Sequence, residues 1–339
     1  MAAYVIRRLL LGASVVVAVS FAAFVGFGLT LDPSYPLWQQ PQLQAVVRAA
    51  YHLQDPILVR YWRWATGLLH HGFGTTVSTD VGGFPPHLRS PGAPIGPALL
   101  HASAITAALV GLSLLFVLTG STLVGTVGAQ RRRFRSDVGT RALAYVGAAL
   151  PTFLLADLLR RLAVPHQSTL VIGNNYYLST HHQWFEIGPP AGGAVGWLRH
   201  LLLPAVALAL GLIGVYARYV RSAMAVELGR PYVTVARAKG LTESRVFLRH
   251  ALRNSLVPVA SLLSLDLGGV VGASLAADGV FRSGGLASVF LGALGNADPF
   301  QLTAIVVMSA VVVCGFTFGG DLLVGLLDPR LQTATPPRG

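Results

Sequence analysis

This sequence predicts an all-α, polytopic integral membrane protein, and three observations carry that prediction. Six apolar runs approach or exceed the length needed to cross a bilayer, charged residues make up only 11% of a chain that is 53% hydrophobic, and basic residues gather beside the ends of those runs. The formal net charge of +12 raises nucleic-acid binding as a competing class. The placement of the charges argues against it: no basic tail or aromatic-basic groove is present, and flanking arginines are what orient membrane segments. The single cysteine, Cys314, lies inside an apolar run, so neither an intrachain disulfide nor a multi-cysteine metal site is available.

The first run, Leu9 to Leu31, is free of charge for 23 residues. At about 1.5 Å per residue it is about 34 Å long, against a hydrocarbon core of about 30 Å. Signal peptides have apolar cores of only about 7–15 residues, so this run reads as a retained helix behind Arg7 and Arg8. Residues 32–97 turn polar and rich in proline and glycine, with Trp38, Trp62 and Trp64 as aromatic anchors near an interface and short helices expected around Gln42 to Leu69. Five further apolar runs follow at about 99–129, 142–163, 200–222, 256–278 and 300–327. An even count of six puts both termini on one side. With the N-terminus inside, 17 of the 25 basic residues fall on the inner face, so both termini are expected in the cytoplasm of a multi-pass plasma or inner membrane protein. The expected layout is a first helix with its cytoplasmic end (1–31), an extracytoplasmic segment (32–97), a core of five spans (98–330) containing a cytoplasmic loop (224–254), and a cytoplasmic tail (331–339).

The cytoplasmic loop carries the most local information. Pro231 stands at a first helical turn and Gly240 just past a last one, so Pro231 to Lys239 reads as a short helix. Thr242 is a candidate N-cap, Glu243 suits the positive end of the next helix, and Arg245, Arg249 and Arg253 recur every four residues as a basic stripe. The expectation is two short helices joined at Gly240, with Ala236 and Gly240 four apart so that another backbone can come close. Two readings fit: an interfacial hairpin whose arginines meet anionic lipid headgroups, or a device that presses on a partner.

The stretch PYVTVARAKGLTESRVFLRHALRNSLVPV resembles the cytoplasmic EAA loop of the B-type permeases in the dipeptide, oligopeptide and nickel ABC importers. RWATGLLHHGFGT at 63–75, VFRSGGLASVF at 280–290, LLVGLLDPRL at 322–331 and the N-terminal MAAYVIRRLLLG also resemble family stretches, in the expected order. Where the wider superfamily has Glu-Ala-Ala, this chain has Thr234, Val235 and Ala236, so only Ala236 and Gly240 carry that motif directly. The resemblance implies a coupling helix that docks into an ATPase subunit, formed here by Val235, Ala236, Arg237, Ala238, Lys239, Gly240, Leu241, Thr242, Glu243 and Arg245. It also implies a second, homologous permease subunit in a heterodimer, two cytoplasmic ATPase subunits and an extracytoplasmic substrate-binding protein. Di- or oligopeptides are the expected cargo, with nickel or glutathione as alternatives within the family.

Catalytic signatures are missing from the sequence. Lys239, the one lysine, follows Ala238 rather than a glycine, so no phosphate-binding G-x-x-x-x-G-K-[ST] loop exists, and no H-E-x-x-H or G-x-S-x-G pattern is present. A non-catalytic subunit is expected, binding no cofactor itself, with ATP and magnesium used by its partners. His70-His71 and His181-His182 read as solvated loop residues, and no metal site is expected. Acids inside spans cost about 2.5–3.5 kcal/mol at mid-helix and face a partner or a watery path. Asp266, nearest the middle of its span, fits either a substrate path or a structural pair, and Gly269 and Ser274 on the same small-residue helix fit either path lining or packing. Asp321 and Asp328 are expected at an interface near the inner end, and Asp157 in an ion pair with Arg160 and Arg161. An ATPase-independent channel or secondary carrier is the competing function, although such carriers tend to show internal repeats and none is found here.

Overall fold

The computed structural model describes residues 2–32, 52–71, 94–130, 149–163, 193–295 and 298–327, with isolated positions at 34, 42, 45, 48, 49, 73 and 147. In chain order its helices are α1 (Ala2–Thr30), α2 (Ile57–His71), α3 (Gly96–Gln130), α4 (Thr152–Ala163), α5 (Gly193–Leu228), α6 (Pro231–Ala238), α7 (Glu243–Phe281), α8 (Leu286–Gly295) and α9 (Pro299–Leu327). Among the described residues, α1, α3, α5, α7 and α9 are long and apolar enough to cross a membrane. The run expected at 142–163 is described as a helix only over the 12 residues of α4, about 18 Å, and much of its first half lies outside the described residues. Pro151 stands at the start of this helix, and its carbonyl accepts from Leu154 N at 2.9 Å and Leu155 N at 3.2 Å.

In a bilayer, lipid tails are as apolar as leucine, so helices are held by close packing and polar contacts rather than by escape from water. The α3–α5 pair shows how close that packing is. A β-carbon on Gly125 would lie 2.7 Å from Ala217 O and 2.8 Å from Val220 Cβ, so only glycine lets the two backbones meet there. Val117 of α3, Tyr216, Val220 and Met224 of α5, and Phe247, Ala251, Val259 and Leu263 of α7 share one buried cluster. The start of α7 is therefore keyed to the same core as α3 and α5. Large apolar side chains elsewhere point outward, including Leu10, Leu29, Leu123 and Leu265, as a lipid-facing surface requires.

Two polar nodes fix the remaining helices. At one end of the bundle, Arg8 of α1 pairs with Asp321 of α9, and Ser264 Oγ of α7 donates to the same carboxylate at 3.2 Å. Asp321, expected at an interface near the inner end, has Arg8 and Ser264 as partners inside this chain. At the other end, the fully buried Asp278 receives Ser283 Oγ at 2.7 Å, Gly285 N at 3.1 Å, and both Ser288 N and Ser288 Oγ at 3.0 Å. One side chain near the end of α7 thereby holds the turn into α8. Asp298 does the equivalent at the start of α9, accepting from Phe300 N and Gln301 N.

Candidate functional site

The cytoplasmic loop of the sequence reading is a tight elbow between α5 and α7. Arg230 is extended, at φ −75° and ψ 146°, and Pro231 at the first position of α6 fits its fixed φ. At the other end, Gly240 N donates to Arg237 O at 2.9 Å and Leu241 N to Ala236 O at 3.3 Å, with Gly240 at φ +75°. This is a Schellman closure, in which a residue with positive φ lets two backbone N–H groups turn back onto the last helical carbonyls. Leu241 then packs with buried Val233, Ala236 and Val246. The apolar contact that accompanies such closures is thereby present, and it fastens α6 to the first turns of α7.

Three features differ from the sequence expectation. Ala236 is buried beneath α6 while Gly240 is exposed, so the two share no approach surface, and Gly240 serves the turn. Thr242 occupies the N-cap position in extended conformation, but its carbonyl rather than its hydroxyl takes part, accepting from Arg245 N at 2.9 Å and Val246 N at 3.0 Å. No second short helix follows. Glu243 begins a helix that runs through a π-helical stretch, Val246–Leu252, and on past Pro258 to Phe281. Wider π turns absorb an irregularity without breaking the helix, turning Val246, Phe247 and Ala251 inward while Arg245, Arg249 and Arg253 stay exposed.

Side chains brace the elbow from both sides. Arg237 donates to Glu243 through Nε at 2.8 Å and a terminal nitrogen at 3.3 Å, spanning the Gly240 turn. The Arg237 hydrogen bonds hold the Glu243 carboxyl below the usual glutamate range, and Glu243 in turn raises the guanidinium. Tyr232 Oη donates to Glu227 Oε2 of α5 at 2.7 Å and accepts from Asn254 Nδ2 of α7 at 3.1 Å. Burial pushes the Tyr232 phenol up, and its hydrogen bond to Glu227 adds to the rise. One hydroxyl thus touches the ends of both spans that the elbow joins. What remains uncovered is a face of Val235, Ala238, Lys239, Gly240, Thr242 and Arg245, in which an exposed valine and alanine sit among cations.

The intramembrane candidates divide. Asp266 and Gly269 are exposed on one side of α7, and Tyr216 Oη of α5 donates to Asp266 Oδ2 at 2.7 Å. Ser274 is fully buried within this chain and its hydroxyl donates to Val271 O at 2.7 Å. Asp157 pairs with Arg160 and Arg161, each at 2.7 Å. His70 and His71 fall at the end of α2, not in a loop as expected, while His181, His182 and Asp328 lie outside the described residues. Among the described residues no group of three histidine, cysteine or acidic side chains could hold a metal ion.

The sequence profile of the binding-protein-dependent transport system inner membrane component family matches residues 121–333, which is more than half of the chain. The chain belongs to this family. The matched residues include α5, the elbow, α7 and α9, so the braced turn at Gly240 lies inside the family's shared portion. This ABC importer permease is 30% identical over 345 aligned positions to the oligopeptide transport system permease protein OppB of Mycobacterium tuberculosis (strain ATCC 25618 / H37Rv), covering 98% of this chain and 100% of that protein. It is 27% identical over 336 positions to the oligopeptide transport system permease protein AppB of Bacillus subtilis (strain 168), covering 98% and 100%. Against the dipeptide transport system permease protein DppB of the same organism, identity is 26% over 338 positions, with 98% of each chain covered. The permease therefore aligns with its relatives along nearly its whole length.

Proposed function

We propose that this permease is one of two dissimilar membrane subunits of an ATP-driven importer of di- or oligopeptides. It crosses the membrane six times with both termini in the cytoplasm, and α6 is the element that meets an ATPase subunit. The carrying observation is the elbow itself: a short helix closed by Gly240, braced to the ends of α5 and α7, with an apolar and basic face left uncovered. Closure of two ATPase subunits on ATP displaces α6, and the braces pass that displacement to the two spans. A two-state element biased from a distance is what coupling requires. ATP and magnesium act on the partners, this chain binds no cofactor, and a substrate-binding protein delivers cargo to the far side. The exposed Asp266–Gly269 side of α7 faces the path, where an acid inside a membrane is tolerated because water or cargo reaches it. Peptide cargo is supported by the names of the relatives; nickel and glutathione are the alternatives within the family.

The test is a crosslink. With Cys314 replaced by serine, Val235→Cys should crosslink to an ATPase subunit in the purified complex, and the yield should change when ATP is bound. No crosslink from 235 or 238, or recovery of the chain from mild detergent without an ATPase or second permease, would favour the channel or secondary carrier instead.

A further inference from the structure

The segment after α1 would ordinarily be assigned to the aqueous side. The packing of α2 contradicts that for about its first two turns. Counting from Leu9, the first residue beyond the Arg7-Arg8 pair, a hydrocarbon core of about 30 Å takes up about 20 residues and ends near Gly28. Ile57, at the start of α2, packs at that level: its Cδ1 lies 2.9 Å from where a β-carbon on Gly28 would stand. One turn further on, Tyr61 has gone deeper. Its hydroxyl is 2.9 Å from Ser20 Oγ, and its ring stands edge-on to Phe21 at 5.1 Å and to Phe24 at 5.6 Å. Those positions lie four to eight residues below Gly28, about 6–12 Å further into the bilayer. Trp64 also meets Phe24, with ring centroids 5.6 Å apart.

The side of α2 that does not touch α1 is not uniformly polar. Leu58 is 62% exposed and Trp62 69%, and they stand four residues apart, roughly a third of a turn round from the Ile57–Tyr61–Trp64 face. Arg63, paired with Asp55, stands on the other side. An extramembrane helix would leave a leucine and a tryptophan in water at this exposure. At the depth set by Ser20 and Phe24, they continue the lipid-facing band formed by exposed Val17, Phe21 and Leu29 of α1.

We infer that α2 is a membrane-embedded helix lodged against α1 in the leaflet on the Thr30 side, with Leu58 and Trp62 in acyl chains and Arg63 toward the headgroups. Under the proposed topology that is the outer leaflet. The partner is lipid, and the depth matches the about 5–10 Å at which interfacial amphipathic helices lie. The inference is independent of what the protein carries.

Site-directed spin labelling tests it, because Cys314 is the chain's one cysteine and can be replaced by serine. Full-length protein with a nitroxide at Leu58→Cys, Trp62→Cys or Arg63→Cys is placed in nanodiscs of phosphatidylethanolamine and phosphatidylglycerol. Collision with oxygen, which concentrates in lipid, is compared with collision with a water-soluble nickel chelate. Oxygen should dominate at 58 and 62 and nickel at 63. Nickel dominance at 58 and 62 would put the helix in water, and protection from both reagents would mean that protein covers this face; either result overturns the inference. Two apolar positions are read so that misfolding caused by one substitution leaves the other informative.

Discussion

Replacing Gly240 by alanine isolates the backbone of the elbow. The residue sits at φ +75°, and a β-carbon added there meets nothing within 4 Å, so the substitution brings no clash with neighbours. Its whole cost is the left-handed conformation, about 1–2 kcal/mol for an ordinary L-residue. An energy of that size changes an equilibrium by a factor of about 5–30, enough to depopulate the closed turn in which Leu241 packs on Val233 and Ala236. Asparagine tolerates the same region better. In a reconstituted complex with binding protein and peptide, basal ATPase belongs to the partner subunits and should persist in all variants. Substrate-stimulated ATPase and uptake should fall in Gly240→Ala and recover in part in Gly240→Asn. If alanine leaves stimulation intact, or if alanine and asparagine are equally impaired, a strained turn is not what couples the subunits.

Three further outcomes follow from the same geometry. Asp278→Ala leaves four donors, two of them buried and two half-buried, without their acceptor; with hydrogen bonds to a charged group contributing about 1.5–3 kcal/mol each, a loss of about 3 kcal/mol or more is expected. It should appear as a lowered Tm in detergent and faster tryptic cleavage after exposed Arg282, and an unchanged Tm would refute the assignment. Tyr232→Phe removes the hydroxyl that bridges Glu227 and Asn254, a partly exposed pair of bonds worth about 1 kcal/mol, and should lower stimulated ATPase while the complex still purifies intact. Because the folded-state value of Glu243 is depressed, its pairing with Arg237 is fully present above the ordinary glutamate value of about 4.3 and is lost as pH falls through the lowered one. Stimulation should therefore respond to Glu243→Gln at neutral pH, and that sensitivity should fade at high salt, which screens an exposed pair.

Features that depend on one residue's own chemistry were legible in the sequence. Proline at the start of α6 and glycine after it are fixed by φ alone, and five of the six expected spans are fixed by length and apolarity. What escaped was everything decided by a distant partner. Thr242 had the right residue type for a side-chain cap, yet its carbonyl does the capping and Glu243 is taken by Arg237. Ser274 fitted either path lining or packing from sequence, and only the fold shows it buried; Asp266 could not declare a tyrosine fifty residues away. Asp278 did leave a trace: an acid followed within ten residues by Ser283, Gly284, Gly285 and Ser288 is a carboxylate ahead of a donor-rich turn. The π-helical stretch left no such trace, although two of its residues, Phe247 and Ala251, belong to the buried cluster shared with α3 and α5.

The pairing of Arg8 with Asp321, with Ser264 beside them, bears on how the protein is made. Arg8 has its charge balanced by a residue more than three hundred positions later, so during synthesis α1 stands without that partner until α9 has been made. A chain halted before α9 would lack both the carboxylate and the helix surface that hold α1 to the bundle.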